Sequence, residues 1–260
     1  MYILAYLDRY GYPVLILIAG ALADFYRGSN GECGSIGYGI ATAYAKEGAN
    51  LVLTGRNVQK LTDAKEELEA KYGIKVLPVQ ADVSAGSDNE AIVQNVVKQA
   101  IDTFGRIDVL INNAQASASG VTIADHTTEQ FDLAVYSGLY AAFYYMKACY
   151  PYLKETKGSV INFASGAGLF GNFGQCAYAA AKEGIRGLTR VAATEWGPDG
   201  INVKTLYVLW HGPHSWRNSS RHIPMLSRQT SRCLLWDITA TWRRRSAASA
   251  YSWLLPTSSI

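Results

Sequence analysis

Between Gly37 and Val203 the chain switches repeatedly between two apolar patterns. Asn50 to Thr54 and Val76 to Gln80 are short runs of apolar residues, the pattern of strands buried on both faces. Val58 to Tyr72 has helical spacing, with Glu66, Glu67, Glu69 and Lys71 on its wet side. Asn89 to Phe104 repeats it with Ile92, Val93, Val96, Val97 and Ile101 turned inward. The same reading gives a helix over Gly37–Glu47 and a strand over Asp108–Ile111. A long helix follows inside Thr128–Leu153, then a strand over Ser159–Ala164. Another long helix covers Cys176–Trp196, and a strand opens at Ile201. Strands joined through helices need crossover connections, which build a parallel sheet covered on both sides. The expected fold class is α/β: a doubly wound parallel sheet in one domain.

Both ends of the chain break the pattern. Val14 to Ala23 is apolar and is read first as a buried strand. It ends in Ala21-Leu22-Ala23, which resembles a signal-peptide cleavage site, but Asp8 beside Arg9 leaves no positive lead-in. The run is also shorter than the ~20 residues needed to cross a bilayer. A signal peptide and a segment foreign to the fold remain as alternatives, with a membrane anchor a distant one. After Lys204 no period of either kind is sustained. His211 to Trp242 is rich in Arg, Ser, Trp and His, the composition of neither a core nor a linker. The expected organisation is an atypical segment over 1–30, one domain over 31–203 and an aberrant tail over 204–260.

Composition narrows the function classes. The 260 residues are 49% hydrophobic and 17% charged, enough for a sizeable core. A net charge of +3 is too small to argue for nucleic acid or an anionic membrane. Cys33, Cys149, Cys176 and Cys233 lack metal-ligand spacing, so no metal site and no disulfide framework are expected, and a cytoplasmic location fits.

Candidate chemistry gathers at the carboxyl ends of the expected strands. Asn30-Gly31-Glu32-Cys33-Gly34-Ser35-Ile36-Gly37 precedes the first helix. A glycine-rich turn there lets the backbone approach a pyrophosphate, which helix N–H groups bind. Alone, it is also an ordinary strand-to-helix turn. Arg56 ends the second strand, where an arginine pairs with a 2′-phosphate and an acidic residue would bind a free ribose. This favours NADP, with NAD open and a solvated loop arginine as the alternative. Asp82-Val83 closes the third strand and Asn112-Asn113-Ala114 the fourth. Ser165 ends the fifth. Tyr178 and Lys182 stand at i and i+4 on one helix face. A tyrosine titrates near ~10, and a neighbouring ammonium is expected to lower that value. Its phenol then moves a proton while hydride passes to or from a nicotinamide. In isolation the pair also fits a helix surface beside a core serine.

Taken together, the glycine turn, Asn112-Asn113-Ala114, Ser165 and Tyr178-Ala179-Ala180-Ala181-Lys182 resemble the classical short-chain dehydrogenase/reductase family, over about Gly31 to Val203. The nearest subgroup looks like the 3-oxoacyl-carrier-protein reductase-like enzymes. The resemblance implies a Rossmann-like fold and an NAD(P)-dependent oxidoreductase acting on a small carbonyl or alcohol. It implies that Gly31, Ser35, Ile36 and Gly37 cradle phosphate and that Arg56, Asp82, Val83, Asn113 and Ala114 border the cofactor. Ser165 would orient the substrate oxygen and Tyr178 would be the general acid/base. Lys182 would lower the tyrosine pKa and bind ribose. A homodimer or homotetramer is implied through the helices containing Ala141 and Tyr178. There Tyr140, Phe143, Tyr144 and Tyr145 supply contact, unless they pack internally.

Departures from the family pattern are as informative. Ser35 and Gln115 each replace a usual glycine. Gly138 aligns with an asparagine that helps relay protons in the family. The Pro-Gly loop after Val203, the substrate-covering segment and the last strand are absent. These losses support a second reading, a member impaired in catalysis that binds dinucleotide or folds in part. They also suggest that Thr205 to Ile260 is a shifted reading frame. Re-read from each codon's third base, Lys204 to Ser231 is compatible with a peptide that regains a proline after the sixth strand and then a capped amphipathic helix. Tyr251 to Ile260 is compatible with one that regains a Leu-Ala-Ser element. The sheet is then expected to lack its native last strand.

Overall fold

The structure, a computed structural model, describes residues 14–20, 36–84, 86, 88–209 and 234–237. Strand β1 (Leu15–Ala19) is followed by α1 (Ile36–Lys46), β2 (Asn50–Gly55), α2 (Val58–Tyr72), β3 (Val76–Gln80), α3 (Asn89–Phe104) and β4 (Val109–Asn112). Then come α4 (Thr128–Ala134), a π-turn (Val135–Tyr140), α5 (Ala141–Thr156), β5 (Ser159–Ser165), α6 (Gly166–Phe170), α7 (Cys176–Trp196), β6 (Asn202–Leu209) and β7 (Leu234–Asp237). The strand order is β3-β2-β1-β4-β5-β6-β7. The first six are parallel, as the alternating pattern requires.

The apolar run at the start of the chain becomes an interior strand. All five residues of β1 are buried, and β1 pairs with both β2 and β4. Alternation divides it between two cores. Leu15, Leu17 and Ala19 join Val93, Val96 and Tyr145 on one face. Ile16 and Ile18 join Ala41, Leu61 and Leu68 on the other. Each large aliphatic buried this way contributes roughly 1.5–3 kcal/mol. Polar groups fix the register. The Leu15 N–H donates to Asp108 Oδ2 at 2.8 Å, and Arg106 grips the same buried carboxylate through Nε (2.9 Å) and Nη2 (2.5 Å). Capping sets the helix limits locally. Asn57 accepts from the Lys60 N–H to start α2, and Gly73, at φ 67°, ends it.

Two features differ from the sequence expectation. The helix expected inside Thr128–Leu153 is present in three parts, starting from a Thr127–Gln130 capping box and widening into the π-turn. Beyond β6, where no native last strand is expected, Leu234–Asp237 pairs antiparallel with Leu206–Leu209. An open sheet edge offers unpaired N–H and C=O groups, and an antiparallel partner needs no crossover helix. β6 itself continues past Lys204 and stays paired with β5 as far as Val208. Among the described residues no helix is long and apolar enough to cross a membrane.

Candidate active site

A cleft of about 240 Å³ opens at the carboxyl ends of β1 to β4, lined by Gly20, Thr54, Arg56, Asp82, Val83 and Ala114 among others. Its floor depends on a glycine. Gly20 has φ +74°, and a Cβ there would fall 2.5 Å from Ala114 Cα. The close approach is then pinned. Gly20 N–H donates to Thr54 Oγ1 at 2.9 Å, and Asn113 Nδ2 donates to Gly20 O at 2.8 Å. Nothing in the sequence reading singled out Gly20 or Thr54. The signal was available: a glycine directly after a buried apolar run.

The rim of this cleft is polar. Burial pulls the Asp82 carboxyl upward, but hydrogen bonds from the Ser84 side chain and backbone, with the nearby Arg56 guanidinium, outweigh it and hold its pKa low. Arg56 is exposed, and its carbonyl accepts from Gln80 Nε2 at 3.1 Å. Ile36 and Gly37 form the first turn of α1. A first turn leaves N–H groups for an anion. Gly31 and Ser35 lie outside the described residues.

A second cluster stands on β5 and α7. Ser165 ends β5, caps α6 by accepting from the Ala167 N–H at 3.2 Å, and is buried. Tyr178 and Lys182 lie on α7, which packs on β5 and β6 through Ala177, Ala181 and Ile185. Small alanines on that face let the helix sit close to the sheet. A buried amide chain sets its position. Asn112 Nδ2 donates to Asn162 Oδ1 (2.7 Å), Asn162 Nδ2 to Thr189 Oγ1 (2.9 Å), and Thr189 Oγ1 to Ile185 O (2.7 Å). β4, β5 and α7 are thus joined by side chains that the sequence reading did not connect.

The electrostatics differ from expectation. Burial raises the Tyr178 pKa, and the nearby Ser165 hydroxyl pulls it the other way without reversing it. The expected lowering by Lys182 is not found; its Nζ lies over the Tyr178 ring, 5.6 Å from the centroid. Lys182 is itself only 3% exposed, and burial pushes it down to about 8. The phenol is therefore held protonated at neutral pH beside a cation over its π face. Such a group can give a proton to a carbonyl oxygen that the Ser165 hydroxyl holds.

Comparison with known proteins settles the family. The family model described as short chain dehydrogenase matches residues 30–208. This chain belongs to the short-chain dehydrogenase family. The 12α-hydroxysteroid dehydrogenase of Clostridium sp. is 72% identical over 176 residues, 68% of each chain. An NAD+-bound xylitol dehydrogenase superposes with a TM-score of 0.66 at 26% identity, covering 77% of this chain and 71% of that one. An alcohol dehydrogenase from the archaeon Thermococcus sibiricus, complexed with 5-hydroxy-NADP, gives 0.64 at 26% identity over 75% of both. The chain is an NAD(P)-dependent oxidoreductase acting on a small molecule, so the reading of an impaired member is not favoured.

The residues present suit a nicotinamide dinucleotide. Gly20 leaves the space a Cβ would fill, while Arg56 and Asp82 offer a cation and an acceptor at the rim. When bound, the dinucleotide supplies or takes the hydride. Tyr145, expected at a subunit interface, is instead buried in the core and lines this cleft, whereas Tyr140 and Phe143 are exposed.

Proposed function

We propose that this short-chain dehydrogenase is an NADP(H)-dependent hydroxysteroid dehydrogenase, interconverting a 12α-hydroxyl and the matching ketone. The observation that carries it is the 72% identity to the relative named for that activity. The surroundings of Ser165 support it. Leu169, Phe170 and Phe173 follow the serine with large exposed apolar surfaces, and Ile123 is also exposed. The loops holding Ile123 and Phe173 are joined through the Val121–Gln175 bridge and the Gly120 N–H to Gly174 O bond. An apolar, rigid substrate has such a wall to pack on. Ser165 holds its oxygen, Tyr178 exchanges its proton and Lys182 places a positive charge beside them. Purified protein with NADPH should reduce a 12-oxosteroid much faster than a 3-oxoacyl thioester; the opposite preference would return the chain to the acyl-reductase subgroup.

Arg56 carries the choice of NADP over NAD in this proposal. Arg56→Asp should weaken NADPH by roughly 1–3 kcal/mol and NADH far less, as for loss of a charge-assisted hydrogen bond. A wild type that already prefers NADH, measured by fluorescence titration, makes Arg56 an ordinary loop residue. Gly31, Ser35, Ile36 and Gly37 are proposed to cradle the phosphates, with Asp82, Val83, Asn113 and Ala114 along the base and ribose. A homodimer or homotetramer is proposed through α5 and α7, with Tyr140, Phe143 and Val191 supplying apolar surface. A monomer at micromolar concentration by light scattering would contradict it.

The tail is proposed to be out of frame. The family match stops at residue 208, close to where the apolar period fails. Sequencing the gene decides this: a neighbouring frame that does not encode a proline after the sixth strand and a Leu-Ala-Ser element ends the idea.

A further inference from the structure

Two departures from the family pattern, read separately in the sequence, meet in space. Gln115 follows Asn112-Asn113-Ala114 at the end of β4, and Gly138 lies within the π-turn. A Cβ on Gly138 would fall 2.2 Å from Gln115 Oε1 and 2.9 Å from its Cδ. The glutamine carboxamide therefore occupies the room that any side chain at 138 would take. It is held there. Gln115 Nε2 donates to Ala116 O and to Ala134 O, both at 3.0 Å. Ala134 is the last residue of α4, directly before the π-turn. Ser137, inside that turn, accepts from the Ala116 N–H at 2.8 Å and donates back into the helix to Leu133 O at 2.6 Å, with Ala116 O 3.1 Å away.

Oε1 of the same carboxamide is buried and has no partner. A buried carbonyl oxygen left this way is uncommon, so the close fit against Gly138 is made at a polar cost. Gln115 and Ser137 both line the cleft already described. On its other side the π-turn leans on α7. A Cβ on Gly184, two residues beyond Lys182, would meet Leu139 Cδ2 at 2.7 Å. π-turns inside α-helices recur at functional sites because the wider turn frees backbone groups.

We propose that Gln115 is a positioning residue for the reaction: its carboxamide, seated on Gly138 and bonded to Ala134 O, fixes the π-turn against the helix of Tyr178 and Lys182. This rests on the proposed roles of Tyr178 and Lys182. The amide that the family pattern places on the helix at 138 is here supplied across the gap by the loop. Glycine at 138 is what makes room for it.

The first test is Gln115→Met, which keeps the length and volume and removes the amide. The kcat should fall by about 10- to 100-fold, as expected for misplaced reacting groups. Substrate KM and NADPH affinity by fluorescence should stay within about threefold, since ground-state binding is not altered. The second test moves the amide to the helix. The pair Gln115→Gly with Gly138→Asn should regain most of the lost kcat, and the pair Gln115→Gly with Gly138→Leu should not. Wild-type kcat in Gln115→Met, or equal recovery by the Asn and Leu pairs, reduces the carboxamide to space filling and overturns the proposal. A third arm needs no turnover. Gly138→Ala should lower the thermal midpoint, and adding Gln115→Ala should raise it again. Additive losses overturn the seating of Gln115 on Gly138. A wild-type chain without turnover that still shows this coupling speaks against the reaction reading and not against the pair.

Discussion

Tyr178→Phe is expected to lower turnover by roughly 10²–10⁴-fold, the contribution of a positioned acid or base. The phenol oxygen is the group that changes protonation in the proposed reaction, and burial holds it protonated at neutral pH. Phenylalanine keeps the ring under the Lys182 cation, 5.6 Å from the centroid in the wild type, and removes only the proton-carrying atom. NADPH affinity should therefore change by no more than a few fold, and the thermal midpoint little. Steady-state kinetics with a 12-oxosteroid, alongside fluorescence titration of NADPH, measures both. Turnover within a few fold of wild type would remove Tyr178 from the chemistry.

Lys182→Met should do two opposite things. Turnover should fall by at least ~10²-fold, because the charge beside the phenol and the proposed ribose contact are both lost. Stability at neutral pH should rise. Burial depresses the lysine from 10.5 to about 8, which corresponds to about 3 kcal/mol of destabilisation while the folded state carries the charge. Since the folded pKa is the lower one, between pH 8 and 10.5 the folded protein binds fewer protons than the unfolded chain. Wild-type stability thus climbs with pH across that window, and the penalty is complete below it. The advantage of the Met variant should be largest at pH 7 and fade as pH approaches 10.5. Thermal unfolding at several pH values tests this. A variant less stable than wild type at pH 7 would mean that the ammonium is better compensated than its burial indicates.

Much of the sheet was legible because one residue in each strand constrains its neighbours. Ile16 and Ile18 can face only one side while Leu15 and Leu17 face the other, so a run of apolar residues implies two covered faces. Helices α2, α3 and α7 run over the residues expected from apolar spacing alone. Ser165, Tyr178 and Lys182 were legible as a set only through the family resemblance, since one strand end and one i, i+4 pair also fit a helix surface beside a core serine. What escaped depends on distance in the chain. Gln115 and Gly138 looked like two unrelated defects until the fold put one side chain into the other's space. The Asn112–Asn162–Thr189 chain crosses three elements and has no local signature. Burial of Lys182 follows from α7 lying flat on the sheet, which no i, i+4 spacing reports. β7 follows from an available edge and not from the apolar period of the tail.

The interior place of β1 also bears on how the chain reaches its native state. It is made early and gains β2 as a neighbour soon after, yet its other edge waits for β4, with the Leu15–Asp108 bond closing a separation of 93 residues. Closing so long a loop is slow, and exposed strand edges invite wrong pairing in the interval. A nascent β1-β2-β3 layer is therefore the stage at which a synthesising ribosome, a chaperone or another unfinished copy meets an unfinished edge.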